Sequence, residues 1–255
     1  MNGIILNNSD VLRIMSKAFD GLDEIRIQAG DGGLRIFGIN KASTAYYSMF
    51  IQIPSISKIK ESGVTVSTKS FSSLLDLALS GYLTGFEVLS LSIDNDSHVI
   101  VTITGKYTQI EETLIHMPSG IKTEPPQVRT LDFSKAAISK VESPKDYKLV
   151  YKHFDTIQSF VNTVEPIEIA IVSDGVEFKP LRRTQHLHKL EGESTGEAKS
   201  LISLPNIKLT SEVADLAGIR GLEIYVINDA SMKFKYHFNS GFLEYVVSRA
   251  IEPQI

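Results

Sequence analysis

The chain has 255 residues, 42% of them hydrophobic and 22% charged, with a net charge of −4 and no cysteine. These values fit a globular protein of one large or two small domains and exclude a disulfide framework, thiol catalysis and cysteine-ligated metal centres. An acidic balance excludes binding nucleic acid with the whole surface, which needs a strongly basic chain, so any DNA contact must come from a local basic surface.

Residues 10–22 place Leu12, Met15, Phe19 and Leu22 at helical spacing behind a Ser9-Asp10 cap. The alternation around Ile25–Ile27, the Gly-rich turn at 30–33 and the stretch Leu34–Gly38 predict a hairpin. Residues 71–80 predict a second, short helix, and Phe86–Asp94, Val99–Gly105 and Tyr107–Ile115 an antiparallel meander. The Pro125-Pro126 pair suits an extended connector. The helical period returns at 151–164 through Phe154, Ile157, Val161 and Val164. It is followed by a strand Ile167–Val172, an Asp174-Gly175 turn and a strand Val176–Leu181. Residues 206–217 fit a fourth helix, with Leu222–Asn228, Met232–Phe238 and Phe242–Val247 as closing strands. No apolar run approaches the roughly 18 residues of a membrane helix. The start MNGIILNNSD lacks the basic region of a secretory signal, so an intracellular protein without a membrane is expected.

The order helix, strands, helix, strands occurs twice. Gly33 and Gly175 are 142 residues apart, and Phe71 and Ile207, like Glu87 and Glu223, are 136 apart. Residues 1–117 and 132–255 are therefore expected to be copies of one α+β unit, joined by a linker at 118–131, with helices on one face of antiparallel sheets. The polar faces of the four helices carry Arg13 and Lys17, Lys69, Lys152, and Lys208. Against these five cations stand Asp20, Asp76, Asp155, Glu212 and Asp215, so charge alone reads as an ordinary solvated face.

A search for chemistry returns little. His186 and His188 alternate as two metal ligands on a strand would, but no third ligand sits at a useful spacing, and a solvated loop or strand edge is expected. The glycines of GDGGLRIFG do not form a dinucleotide fingerprint, and no Walker lysine motif follows. Ser55-Ile56-Ser57-Lys58 lacks partner motifs, and Asp94-Asn95-Asp96 lacks the glycine and distal glutamate of a calcium loop. The residues give no reason to expect an enzyme.

The helix DVLRIMSKAFDGL with EIRIQAGDGGLRIFGINKAS resembles the first helix, paired strands and following loop of the sliding-clamp family of proliferating cell nuclear antigen (PCNA). The segment MKFKYHFNSGFLEYVVSRAIE resembles that family's last strands and terminal segment, and TEPPQV and IFGINKAS look most like the archaeal clamps. The resemblance implies two tandem pseudo-symmetric clamp domains in a trimeric ring, homotrimeric or heterotrimeric, with no catalytic residue, cofactor or metal. Implied partners are duplex DNA held by topology, other clamp subunits, a DNA polymerase, a flap nuclease, a ligase and a clamp loader, all on chromosomal DNA. Arg13, Lys17, Lys69, Lys152 and Lys208 would face the DNA. A client-peptide pocket would use Ile39, Ser43, Thr44, Ala45, Tyr46, linker residues Ile121 and Val128, and Ser248, Arg249, Ala250 and Ile251. Subunits would join through the edge strand 107–115, with Tyr107, Ile110, Glu112 and Leu114, and a second edge 176–182, with Val176, Phe178, Pro180 and Arg182. The chain departs from the family pattern at Ser248-Arg249, where Ala-Pro is usual, and at Ala230-Ser231-Met232, where Val-Pro-Leu is usual. The alternatives are a diverged clamp for damage signalling or a viral or plasmid replicon, a monomeric duplicated scaffold that never encircles DNA, and an enzyme using the His186/His188 pair.

Overall fold

In the computed structural model the described residues are 4–6, 8–30, 32–42, 44–53, 63–80, 86–93, 99–105, 109–114, 131–161, 165–182 and 186–251. The chain divides into two compact units. One comprises Met1–Ser43, Tyr47–Glu124 and Ser240–Leu243, the other Thr44–Tyr46, Pro125–Asn239 and Glu244–Ile255. Among the described residues no helix is long and apolar enough to cross a membrane.

The first unit is built from β1 (Ile4–Leu6), α1 (Ser9–Ala18), β2 (Glu24–Gly30), β3 (Gly33–Ile39), β4 (Ala45–Gln52), β5 (Val64–Ser67), α2 (Thr68–Leu79), β6 (Phe86–Ile93), β7 (Val99–Gly105) and β8 (Gln109–Leu114). Its strands run in the orders β1-β6-β7-β8 and β5-β2-β3-β4. The α1 cap is Asn8, one residue before the predicted pair, with its side chain accepting the N–H groups of Asp10 and Val11. Asp10 in the first turn and Lys17 in the last match the helix dipole. Burial alternates along β2, where Ile25, Ile27 and Ala29 turn into the core. Helix α2 starts at Ser67, whose hydroxyl accepts the N–H of Ser70, and it packs against α1 and against β5, β2 and β6.

The second unit follows a short 3-10 turn at Phe133–Lys135. It contains β9 (Ala137–Val141), α3 (Asp146–Val161), β10 (Ile167–Val172), β11 (Gly175–Pro180), β12 (His188–Thr195), β13 (Ala198–Ile202), α4 (Leu204–Ser211), β14 (Ile219–Val226), β15 (Met232–Phe238) and β16 (Gly241–Val247). The strand order is β13-β10-β11-β12-β9-β14-β15-β16, with every registered pair antiparallel. Tyr147 anchors this core. Its ring stacks on Phe234 at 5.4 Å and lies 5.8 Å from Phe178, and its hydroxyl pairs with Thr210 Oγ1 at 2.7 Å. Tyr236 donates its hydroxyl to the Thr210 carbonyl at 2.6 Å, so two buried phenols converge on α4.

The described helices differ in extent from the sequence expectation: α1 ends at Ala18 rather than 22, and α2 covers Thr68–Leu79 rather than 71–80. Helix α3 begins five residues earlier than 151: Pro144 leads in with a backbone angle suited to a helix start, and Tyr147 and Val150 extend the apolar stripe to Phe154. Helix α4 ends at Ser211 rather than 217. The chain continues in tight turns, with Ala214 N–H on Ser211 O and Leu216 N–H on Val213 O, and Gly218 leaves at φ +93°. Strands β1, β4, β5, β9, β12 and β13 add to the predicted set.

Candidate functional site

Apolar burial turns each helix so that its predicted cation faces solvent. Val11, Leu12 and Met15 are buried on α1 while Arg13 and Lys17 are exposed. Phe71, Leu75 and Ala78 are buried on α2, and Lys69 is exposed. Lys152 on α3 and Lys208 on α4 are exposed in the same way, opposite Val150 and Phe154 and opposite Ile207 and Thr210. Lys208 Nζ lies 6.0 Å from the centre of the Tyr151 ring. Two of the five opposing carboxylates are engaged by the neighbouring helix: Ser16 donates to Asp76 at 2.6 Å, and Lys148 pairs with Asp215 at 2.7 Å. Lys148 enters with the earlier start of α3, as Asp146 does, and its pairing neutralises Asp215 locally.

A cavity of about 470 Å³ opens in the second unit, beside the segment that follows β16. Ser248 N–H donates to Thr44 O and Ala250 N–H to Leu201 O, both at 2.8 Å, so residues 248–250 are pinned from two sides. Ser203 caps α4, and Pro205 sits in the first turn, where its missing N–H costs nothing. Leu204 and Asn206 from that turn form one wall, and Glu165 and Pro166 another. The Glu165 carboxylate is buried and accepts the N–H of Arg182 at 3.2 Å, and Gln158 donates to the Glu165 carbonyl at 2.9 Å. Arg249 reaches Asp229 at 3.5 Å, and Ile251 is 86% exposed.

Of the predicted pocket residues, Thr44, Ser248, Arg249, Ala250 and Ile251 line this one cavity. Ala45 and Tyr46 are buried in β4, and Ile39 ends β3 in the first unit, half-buried. Ser43, Ile121 and Val128 lie outside the described residues. Glu165, Pro166, Ser203, Leu204 and Asn206 were not anticipated; the helix-start pattern Ser203-Leu204-Pro205 was the one signal available for part of that set.

Strand edges give a correction. Strand β8 pairs with β7 and stands at the end of its sheet, as expected, with Ile110, Glu112 and Leu114 on it, while Tyr107 lies outside the described residues. Strand β11 is not an edge. Val176 and Phe178 have register partners on β10 on one side and on β12 on the other, Pro180 pairs with Ile167, and exposed Arg182 lies beyond the strand. The reading failed because β12 fills that side, and its polar alternation HKLEGEST resembles a solvated loop.

The open backbone lies on the first half of β12. Gly192 N–H bonds to Asp174 O, so the even residues of β12 face β11. Glu191 O takes the Glu142 N–H on the opposite side, where the ladder with β9 runs only from Gly192 to Thr195. Lys189 therefore turns its main-chain groups to a side with no strand among the described residues. His188 starts this strand, with its ring 5.4 Å from that of His153 on α3. Burial first, then the nearness of His186, lowers the pKa of His153. Burial, then His153, lowers that of His188 against the opposite pull of Asp146. Among the described residues no group of three His, Cys, Asp or Glu side chains could hold a metal ion.

No protein-family model and no curated protein matches the sequence. Solved structures do match over nearly the whole length. A chain of the PCNA2–PCNA3 complex of Sulfolobus tokodaii shares 17% identity at a TM-score of 0.75, over 97% of this chain and 99% of that one. The PCNA of A. fulgidus, solved with the C-terminal region of FEN-1 bound, gives 17% identity and 0.75 over 100% of both chains. The proliferating cellular nuclear antigen of Entamoeba histolytica gives 13% and 0.74 over 98% of both. At such identity the likeness lies in the fold: the chain has the α+β fold of a PCNA sliding clamp.

Proposed function

We propose that the chain is a non-enzymatic subunit of a DNA sliding clamp, a processivity factor that closes into a three-subunit ring around duplex DNA and tethers replication and repair proteins. The observation that carries this reading is the placement of Arg13, Lys17, Lys69, Lys152 and Lys208 on the solvent faces of the four described α-helices of a clamp fold. Loose, water-mediated contact with phosphate suffices where topology retains the DNA, so a modest positive surface on an acidic chain is consistent with it. Residues 118–131 serve as the linker between the two clamp domains.

The cavity at Thr44 and Ser248–Ile251 is assigned to short client peptides. It is concave, largely apolar and carries a few fixed polar groups, as recognition pockets do. Clients such as a polymerase, a flap nuclease and a ligase gain effective concentration at the DNA by this tether. Arg249 and Ser248 give the pocket polar chemistry where the resembled family usually has Ala-Pro. The subunit joint is assigned to β8 of one chain and the open half of β12 of the next, because an uncovered edge would otherwise template aggregation.

The test is loading onto nicked circular DNA by a clamp loader, followed by the half-life of retention. Replacing all five cations with alanine is expected to shorten retention and flatten its salt dependence. Retention that is equal on linear and circular DNA would sink the encirclement reading.

A further inference from the structure

The groove between α3 and the open half of β12 has chemistry of its own. A cavity of about 400 Å³ is bounded there by Val141, Asp146, Leu149, His188 and Leu190. Leu149 is 50% exposed and Leu187, beside His188, 47%. Glu142, Asp146 and Glu191 also line the groove, and Lys189 is held by Asp174. His188 lines the groove with them; behind it the His153 ring of α3 lies 5.4 Å away, with Nε2 buried and without a hydrogen-bond partner, and within electrostatic reach of His186.

Strand parity identifies what would meet this cluster. In the β7–β8 ladder Val99 pairs with Leu114, Val101 with Glu112 and Ile103 with Ile110. Val99, Val101 and Ile103 are buried, so Ile110, Glu112 and Leu114 lie on the covered face of their sheet. On β12, His188 and Leu190 pair with buried Phe178 and Val176 and lie on the covered face too. A sheet continued from β12 into β8 of a second copy keeps covered faces together, which brings Glu112 to the face holding His188 and His153.

Resting on the clamp-subunit reading, we propose that Glu112 of a second chain docks on the His153–His188 cluster and that the joint takes up a proton as it forms. In the free chain burial and mutual proximity disfavour the charged form of His153 and His188. A further carboxylate beside Glu142, Asp146 and Glu191, with Lys189 already engaged, is repelled unless an imidazole becomes charged. A carboxylate fixed next to a histidine favours the imidazolium. The cluster's pKa is then higher in the assembly than in the free chain. Association therefore strengthens as pH falls toward the ordinary histidine range, by up to about tenfold per pH unit for each proton taken up.

The test is the association constant of the full chain, from sedimentation equilibrium at about pH 7.5, 6.5 and 6, for the wild type, Glu112→Gln and His188→Gln. The wild type is expected to associate about five- to tenfold more tightly at the acid end, and both variants to lose that slope. Glu112 is exposed, so its variant remains informative if His188→Gln perturbs packing, which circular dichroism would reveal. A wild-type constant that is flat or weakens with acid, or a Glu112→Gln chain that keeps the wild-type slope, overturns the proton linkage while leaving assembly standing. A single-chain mass at every pH and concentration overturns self-association through this joint and the linkage with it, whereas the clamp reading itself stands or falls on retention on circular against linear DNA.

Discussion

The two units carry the same pair of helices but fasten them differently. In the first, α1 and α2 are tied by Ser16 to Asp76, a bond whose acceptor is exposed. In the second, the tie is buried: Tyr147 meets Thr210 beneath α3 and α4, and Tyr236 closes on the Thr210 carbonyl from the sheet. Burial raises the pKa of both phenols, of Tyr236 with help from nearby acidic groups, so they remain neutral donors throughout the working range. A buried hydroxyl network is costly to break because the partner left behind cannot turn to water, whereas an exposed carboxylate can. The second helix pair is thus the more firmly held platform, in the unit that also holds the cavity at Ser248–Ile251 and the open half of β12.

Substitutions should expose this contrast in order of size. Tyr147→Ala removes a fully buried ring and is expected to cost about 3–5 kcal/mol, read as loss of amide-exchange protection confined to the second unit. Gly175→Ala comes next. Gly175 holds φ +145°, and a Cβ there would run into the Leu190 carbonyl. Strain of this kind costs about 1–3 kcal/mol, and pushing β12 away should also weaken assembly in the same sedimentation experiment. Tyr236→Phe leaves the ring in place and the Thr210 carbonyl short of a donor, for about 1–2 kcal/mol in urea unfolding. Ser16→Ala is expected to cost no more than about 1 kcal/mol, because Asp76 is rehydrated. A Ser16→Ala loss as large as that of Tyr236→Phe would erase the distinction between the units.

Among the described residues, the carboxylates held below their ordinary pKa lie in the second unit. Glu168 on β10 pairs with Lys179 on β11 and is 3.5 Å from Lys199 on β13, so one carboxylate joins three strands. Burial pushes its pKa up, but the two lysines outweigh burial and hold it below the ordinary value of 4.5. A lowered carboxylate pKa stabilises fully above 4.5 and loses that contribution as pH falls through the lower folded value. Glu168→Gln should therefore lower second-unit stability slightly at neutral pH and flatten its acid limb between about pH 5 and 3, where the wild type loses the same contribution. An unchanged acid limb would remove the pair from the account.

How much was legible can be judged from particular residues. Leu12, Met15, Phe71 and Phe154 marked buried helix faces, and with them the solvent placement of the five cations, because helical period is a local property. The hairpin at Gly33 and the Asp174-Gly175 turn were equally plain. Strand β12 was missed because the even face of HKLEGEST offers one large apolar side chain, Leu190, opposite the charged Lys189, Glu191 and Glu193, and that weak apolar pattern led to β11 being read as an edge. The pocket was half visible: Thr44 and Ser248–Ile251 followed from the resemblance, whereas Glu165 and Leu204 reach it from segments that are distant in sequence.

The sequence by itself determined the repeated α+β order, the buried side of each helix and the cations left on the other. Those properties depend on residues within a few positions of one another, where period and turn chemistry act. The tertiary structure alone decided which backbone edge stays open, which distant carboxylates and hydroxyls meet, and that His153 of α3 lies beside His188 of β12. Lateral strand order is chosen by global burial, and local alternation is the same whether a strand's neighbour is present or missing.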